Sequence, residues 1–225
     1  MSFELVTYPD REMMMIDLAN QLVGELEAAV QQNGHASLVV PGGTTPGPIF
    51  DDMCAVHMDW ANISVMLSDE RWVPEDHERS NTRLLRERLL TDQAAAARLV
   101  PLYVPADRPE DALAELESVI RPVLPINVLL LGMGADMHTA SIFPGADRLD
   151  EALSRTAPIL VPMRAPGAPE PRVTLSARVL NDALSKHIVI TGAEKRAALE
   201  RAQTLSNEEA PVRAVWSDAR VHWAE

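Results

Sequence analysis

The sequence predicts an α/β fold in which helices cover both faces of a mainly parallel β-sheet. Short apolar runs alternate with segments of helical periodicity along most of the chain. Several of these runs end in turns rich in Gly or Pro, as strands of parallel sheets do before a helix. The chain has 225 residues, of which 47% are hydrophobic and 24% charged, so it fits one domain covering residues 1–225. We therefore expect a single-domain, Rossmann-like, three-layer α/β/α protein.

The helices are predicted from apolar spacing and from their ends. Apolar side chains recur every three to four residues over residues 11–32, and Gly34 supplies a C-terminal stop. Ser80 or Asn81 is suited to cap a helix over residues 80–90, because its side-chain oxygen accepts an N–H of the first turn. In chain order, the expected helices cover residues 11–32, 46–56, 80–90, 109–123, 175–184 and 193–205.

The strands are predicted from short apolar runs bounded by turn residues. The clearest covers residues 127–131 and is followed by a Gly-Met-Gly turn. Residues 159–163 and 172–175 are expected to form a hairpin, since residues 165–171 between them are rich in Pro, Gly and Ala. In chain order, the expected strands cover residues 37–40, 63–67, 99–104, 127–131, 159–163, 172–175, 187–191 and 212–217.

Composition excludes several classes of partner. The formal net charge is −13 and no Lys/Arg cluster occurs, which argues against nucleic acid. No apolar run is long enough to cross a bilayer, and the first eleven residues lack the layout of a signal peptide. Cys54 is the single cysteine and lies in an apolar stretch, so we interpret it as a core residue in a reducing compartment. We expect a cytoplasmic protein.

A carboxylate and an imidazole follow the strand at residues 127–131. Asp136 and His138 lie just beyond the Gly-Met-Gly turn, at the carboxyl end of a buried strand. Ligands bind at that edge of open α/β sheets, so the pair is a candidate for catalysis. A lone loop histidine is more often a surface residue, and the other motifs must decide between the two interpretations.

A second motif resembles a phosphate cradle. Gly42, Gly43, Thr44 and Thr45 come directly after a predicted strand and before a predicted helix. Backbone N–H groups, hydroxyls and the positive end of the helix would converge on an anion there. The Gly-Lys-Ser/Thr end of a P-loop is missing, which argues against a nucleoside triphosphate. The alternative is a tight turn with Thr as the helix cap.

Basic residues stand near predicted strand ends in an otherwise acidic chain. Arg71 follows Asp69 and Glu70, which could hold its guanidinium rigid while it faces a ligand. Arg172 begins a strand, and Lys195 lies in the first turn of a helix, where a cation opposes the macrodipole. That placement favours a bound anion. The alternatives are a solvated acidic loop around Arg71 and an exposed Lys195.

Taken in order, the motifs resemble the 6-phosphogluconolactonase family within the broader group of glucosamine-6-phosphate deaminase-like proteins. The DERWVP and TASIFPG sequences match the lactonase branch of that group. The matching segments are PGGTTP at 41–46, SDERWVP at 68–74, GMGADMHTASIFPG at 132–145, PRVTLSARVLNDA at 171–183 and ITGAEK at 190–195.

The resemblance implies the glucosamine-6-phosphate deaminase-like fold and hydrolysis of 6-phospho-D-glucono-1,5-lactone to 6-phosphogluconate. His138 would act as the general base and Asp136 would orient it. Direct attack by water is expected, since Ser141 lacks the G-x-S-x-G elbow. The candidates for binding the substrate, its phosphate or the developing oxyanion are Gly42, Gly43, Thr44, Thr45, Asp69, Arg71, Ser80, Asn81, Arg172 and Lys195.

No metal or other cofactor is expected, because the His and Cys residues show no metal-ligand spacing. The expected partner is a phosphorylated sugar lactone, bound by a monomer or homodimer. Two other functions stay open. A deaminase or sugar-phosphate isomerase would use an acid near Asp69, although the Arg-Trp-Val-Pro sequence after Glu70 argues against it. A non-catalytic sugar-phosphate sensor would have no need for Asp136 and His138.

One position departs from the family pattern. Met137 stands between Asp136 and His138, where the family usually has Gly. A positive φ at this residue would strain a Met backbone. We expect instead that residue 137 has an ordinary negative φ and that its thioether packs into the core.

Overall fold

The structure is a computed structural model that describes residues 2–166 and 168–225, and it has the α/β architecture that the sequence predicts. The helices within these residues are α1 (Arg11–Asn33), α2 (Gly47–Cys54), α3 (Asn81–Arg88), α4 (Leu113–Ile120), α5 (Leu149–Leu153), α6 (Ala177–Asn181) and α7 (Gly192–Ala202). The strands are β1 (Glu4–Thr7), β2 (Ala36–Val40), β3 (Ile63–Leu67), β4 (Asp69–Arg71), β5 (Arg98–Val100), β6 (Val128–Gly132), β7 (Leu160–Met163), β8 (Arg172–Leu175), β9 (Ser185–Thr191) and β10 (Arg220–Ala224).

Seven strands form one parallel sheet in the order β1-β10-β9-β6-β2-β3-β5. From β2 the chain adds strands toward β3 and β5, whereas from β6 it adds them toward β9 and β10. The order therefore reverses between β2 and β6. In open α/β sheets a crevice opens at such a point, outside the carboxyl ends of the strands.

Three shorter strands form a separate antiparallel sheet in the order β4-β8-β7. The expected hairpin of β7 and β8 is confirmed. Strand β4 was not expected, because three consecutive charged residues do not resemble a strand. Its pairing with β8 places Arg71 directly opposite Arg172.

The core fills the space between the sheet and its helices. Helix α1 is capped at its start by Asp10, whose carboxylate accepts the N–H of Met13 at 2.8 Å, and at its end by Gly34, which has φ of 77°. Its inward face buries Leu18, Leu22 and other apolar residues, and every residue of β2 is buried. Cys54 is buried, as expected. None of the helices in the described ranges is long and apolar enough to span a membrane.

The last predicted strand is wrong. Residues Pro211–Ala214 form a 3-10 turn, and the final strand is β10 at Arg220–Ala224. The polar residues Arg220 and His222 interrupt the apolar pattern of β10, so periodicity did not reveal it. The short edge strand β1 was missed as well.

Three other elements have only about half of their predicted length. The strand expected over 99–104 is limited to β5, and the helix expected over 175–184 is limited to α6. The helix expected over 109–123 begins only at Leu113, and a 3-10 turn at Arg121–Val123 follows its end. Pro122 explains that end, since proline supplies no N–H to continue the helix.

Candidate active site

A cleft of about 340 Å³ opens at the carboxyl ends of the central strands. It lies where the strand order reverses, and β2, β6 and β9 each lead into it. Within the described residues, most of the predicted site residues line it, whereas Thr44, Ser80 and Asp136 do not. The predicted residues that line the cleft are Gly42, Gly43, Thr45, Asp69, Arg71, Asn81, His138, Arg172 and Lys195.

Asp136 and His138 contact each other directly. Oδ1 of Asp136 lies 2.5 Å from Nδ1 of His138 and also accepts the backbone N–H of that residue at 3.2 Å. The hydrogen bond from His138 lowers the pKa of the Asp136 carboxyl below its ordinary value. An ionised carboxylate is only an acceptor, so Nδ1 carries a proton and Nε2 of a neutral ring is free to act as a base.

The turn that carries this pair leaves no room for a side chain at Gly134. A Cβ there would overlap both Nδ1 of His138 and Oδ1 of Asp136. The turn is closed by the N–H of Gly134, which donates to the carbonyl of His138 at 3.0 Å. Glycine at this position therefore allows the carboxylate and the imidazole to meet.

The expectation of a negative φ at Met137 is wrong. Its φ is 66°, and Ala140 on the other side of His138 has φ of 49°. Closing the turn from Gly134 to His138 imposes this left-handed conformation, which the N–H of Met137 stabilises by donating to the carbonyl of Gly134 at 2.9 Å. The side chain of Met137 is half-buried and packs against the core, as expected. Strained residues thus flank the candidate catalytic histidine.

Phe143 contacts two of the candidate site residues. Its ring centroid lies 4.4 Å from that of His138, and Cζ of Arg172 lies 5.7 Å from the same centroid. Burial is the main reason that the pKa of the Arg172 guanidinium lies below its ordinary value. It remains a cation at neutral pH, because arginine does not lose its proton in proteins. A positive charge in these partly dry surroundings interacts strongly with an anion.

Arg71 is held differently from the prediction. Its guanidinium donates through one terminal nitrogen to the carbonyl of Arg79 at 2.7 Å, and it makes no ion pair with Asp69 or Glu70 in the described structure. The two carboxylates have other partners, since both bind groups of the surrounding loops. Arg71 consequently lines the cleft, and no carboxylate among the described residues neutralises its charge.

Asp69 binds two hydroxyl groups and is almost fully buried. Oδ1 accepts from Ser68 at 2.8 Å and Oδ2 accepts from Ser141 at 2.6 Å. The hydroxyl of Ser141 is therefore engaged in a structural hydrogen bond. This agrees with the prediction that Ser141 is not a nucleophile.

The cradle after β2 is shaped by close contact between Gly42 and Asn81. A Cβ at residue 42 would overlap the amide group of Asn81, whose Nδ2 donates to the carbonyl of Asp69 at 3.2 Å. Gly43 has φ of 83°, which favours glycine. Thr45 lines the cleft, whereas Thr44 lines a neighbouring groove beside the start of α1.

The remaining predicted residues lie in helix termini. Lys195 is in the first turn of α7 and lines the cleft. Ser80 caps α3 by accepting the N–H of Arg83 at 3.2 Å and does not reach the cleft. Sequence reasoning missed Phe143, which only its place inside a matched motif could have suggested, and it missed the hydrogen-bond partners of Glu70.

The fold and this cleft together define an α/β protein with an Asp–His pair where the strand order of its sheet reverses. The cations that line the same cleft have no carboxylate partner among the described residues. The chain belongs to the family of glucosamine-6-phosphate isomerases and 6-phosphogluconolactonases, whose family model matches residues 9–223.

Individual relatives agree with this assignment. A 6-phosphogluconolactonase from Rhizobium meliloti (strain 1021) is 42% identical over 214 residues, which cover 92% of each chain. One from Mesorhizobium japonicum is 39% identical and covers 99% of this chain and 96% of the relative. The crystal structure of a 6-phosphogluconolactonase from Shewanella baltica OS155 has a TM-score of 0.92 at 30% identity, covering 100% of this chain and 98% of that one.

Proposed function

We propose that this chain is a lactone hydrolase that converts 6-phospho-D-glucono-1,5-lactone to 6-phosphogluconate. The observation that carries the proposal is the 2.5 Å contact between Asp136 and His138 in a cleft that also holds Arg172 and Lys195. A base and a group of cations in one cleft suit an ester that carries a phosphate. The named relatives support the same substrate.

His138 is the proposed general base. With Nδ1 donating to Asp136, Nε2 takes a proton from a water molecule as that water attacks the carbonyl carbon C1. The imidazolium that forms is stabilised by the ionised carboxylate of Asp136. When the bond between C1 and the ring oxygen breaks, the imidazolium returns its proton to that oxygen. The ring opens to a hydroxy acid, and the base is regenerated.

The cations are proposed to bind the phosphate. Arg71 and Arg172 are cross-strand neighbours on β4 and β8, and Lys195 joins them from the first turn of α7. Charge-assisted hydrogen bonds to phosphate are strong, above all from arginine. Binding the remote phosphate orients the lactone carbonyl toward His138, which lowers the entropic part of the barrier.

The backbone N–H groups of Gly42 and Gly43 are proposed to stabilise the oxyanion or the phosphate.

Hydrolysis of freshly generated lactone tests this function. The lactone opens spontaneously, so the enzymatic rate is the proton release measured with protein minus that measured without it. The proposal predicts saturable turnover of the phosphorylated lactone and much weaker turnover of unphosphorylated gluconolactone. Glucosamine 6-phosphate serves as the alternative substrate. Ammonia release from it, together with no acceleration of lactone opening, would overturn the proposal in favour of a deaminase.

A further inference from the structure

Glu70 is a buried carboxylate beside the cleft that the reaction itself does not use. Glu70 is 0% exposed and lies between Asp69 and Arg71 on β4. An ionisable side chain without solvent contact is costly unless it is fully hydrogen-bonded. Its partners therefore indicate what the residue does.

Five hydrogen bonds converge on the two oxygens of Glu70. Oε1 accepts the backbone N–H groups of Arg71 at 2.7 Å and Asn81 at 2.8 Å. Oε2 accepts the N–H of Thr82 at 2.7 Å, its hydroxyl at 2.7 Å, and the hydroxyl of Ser80 at 3.3 Å. All five partners are donors, which favours the ionised form of the carboxyl. Burial raises the pKa of Glu70, and the hydrogen bonds from Thr82 and Asn81 counteract part of that effect.

These bonds attach the start of α3 to β4. Glu70 satisfies the first N–H groups of the helix, whose positive end also favours a negative charge. It thereby fixes Asn81, which lines the cleft against Gly42. It also fixes the preceding segment, in which the carbonyl of Arg79 accepts the guanidinium of Arg71.

Arg71 is therefore connected to Glu70 in two ways. Its backbone N–H donates to the carboxylate directly, and its guanidinium binds the Arg79 carbonyl one residue before Ser80, which Glu70 also holds. Within the part of the chain that the structure describes, no carboxylate pairs with this guanidinium. An arginine fixed through its backbone and through a neutral carbonyl keeps its full charge for an anionic ligand.

We infer that Glu70 is a positioning residue that sets Arg71 and Asn81 for substrate binding through the five-bond junction between β4 and α3. The inference rests on the proposed function, because it assigns Arg71 and Asn81 to the substrate. Among the described residues, Glu70 does not line the cleft, and its hydrogen-bond partners do not include His138. Its loss should therefore weaken ground-state binding more than it slows the chemical step.

The test compares Glu70→Gln with Glu87→Gln, a control on α3, the helix that Glu70 holds, where the carboxylate of Glu87 is exposed and pairs with Arg83. The amide of Gln would turn an NH₂ group toward N–H donors and lose part of the junction. We expect KM for the lactone and the dissociation constant of inorganic phosphate, measured by calorimetry, to rise by about tenfold, as the loss of one or two hydrogen bonds to a charged group predicts. The value of kcat should change by less than about threefold, and Glu87→Gln should resemble the wild type.

Thr82→Val covers the case in which Glu70→Gln does not fold. It removes the hydroxyl donor to Oε2 and keeps the hydrogen bond from the backbone N–H of Thr82. KM and the dissociation constant of inorganic phosphate should therefore rise by a few-fold, and Thr82→Ser should restore both values. A folded Glu70→Gln with unchanged phosphate affinity and KM would overturn the inference while leaving the proposed function intact. If Glu70→Gln does not fold, unchanged phosphate affinity and KM in Thr82→Val would overturn the inference in the same way. A wild type that neither binds phosphate nor opens the lactone would overturn the proposed function, and the role of Glu70 with it.

Discussion

The guanidinium carbon of Arg172 lies 5.7 Å from the ring centroid of Phe143. The same ring packs against His138 at 4.4 Å between centroids. The phenyl group thus contacts both the candidate base and a residue proposed to bind the phosphate. It shields one side of the arginine from water, and burial keeps the charge in surroundings where an anion is attracted strongly.

Arg172→Ala and Lys195→Ala should each weaken binding of the phosphorylated substrate. Losing a charge-assisted contact in a desolvated site costs on the order of 1.5–3 kcal/mol, so KM should rise by roughly tenfold to a hundredfold.

Steady-state kinetics and inhibition by 6-phosphogluconate measure these effects. Arg196→Ala is the matched control, because Arg196 follows Lys195 on α7 but pairs with Glu200 and packs over Trp223. If KM and product inhibition stay at wild-type values in both cleft variants, these cations do not bind the phosphate.

The left-handed backbone at residue 137 can be tested by comparing two variants. Met137→Ala and Met137→Gly both remove the thioether, so the difference between them reports the backbone alone. At φ of 66° the Gly variant should be more stable than the Ala variant by about 1 kcal/mol, because a Cβ is strained there. Free energies of unfolding in urea provide the measurement.

Ala135→Gly is the control for that comparison. Residue 135 is in the same turn without a positive φ, so glycine there should be less stable than alanine by about 0.5–1 kcal/mol. A more stable Ala variant at residue 137 would show that its backbone is not left-handed in solution.

A buried histidine on β10 should make stability depend on pH. His222 is 0% exposed, with Nδ1 2.9 Å from the hydroxyl of Tyr8 and Nε2 2.9 Å from Nδ1 of His187. Burial, and then repulsion from His187, lowers the pKa of His222 from 6.5 to about 3. The unfolded chain therefore binds a proton more readily than the folded one between these values. This contribution to stability is complete above pH 6.5 and is lost as the pH falls toward 3, by up to ~1.4 kcal/mol per pH unit.

His222→Gln should reduce this pH dependence. The difference between unfolding free energies at pH 7 and pH 5 should shrink by roughly 1–2 kcal/mol relative to the wild type. His57→Gln, at an exposed position, should leave the difference unchanged. An equal pH dependence in wild type and His222→Gln would mean that His222 is not held neutral by the fold.

Most of the architecture follows from local patterns in the sequence. Buried parallel strands such as β2 and β6 are continuous apolar runs, and the glycines after them give the chain its turns. Strands β4 and β10 could not be predicted in this way. The first consists of three charged residues, and the second carries His222, whose burial depends on partners from distant elements.

The candidate site was partly predictable for the same reason. Parallel strands end at one edge of a sheet, so motifs that follow separate strands converge there. Sequence reasoning could not predict what Glu70 binds, because most of its partners come from the start of α3. Nor could it predict that the guanidinium of Arg71 is held by a carbonyl. The φ of Met137 was predicted wrongly because it is set by how the turn closes onto His138.

The turnover of His138→Ala on freshly generated 6-phosphogluconolactone shows whether His138 is the general base. A general base contributes about 10²–10⁴-fold, so kcat above the spontaneous rate should fall within that range while the affinity for inorganic phosphate stays at the wild-type value. Such a result would place the loss in the chemical step. Turnover equal to that of the wild type would contradict the account and remove the Asp136–His138 pair from catalysis.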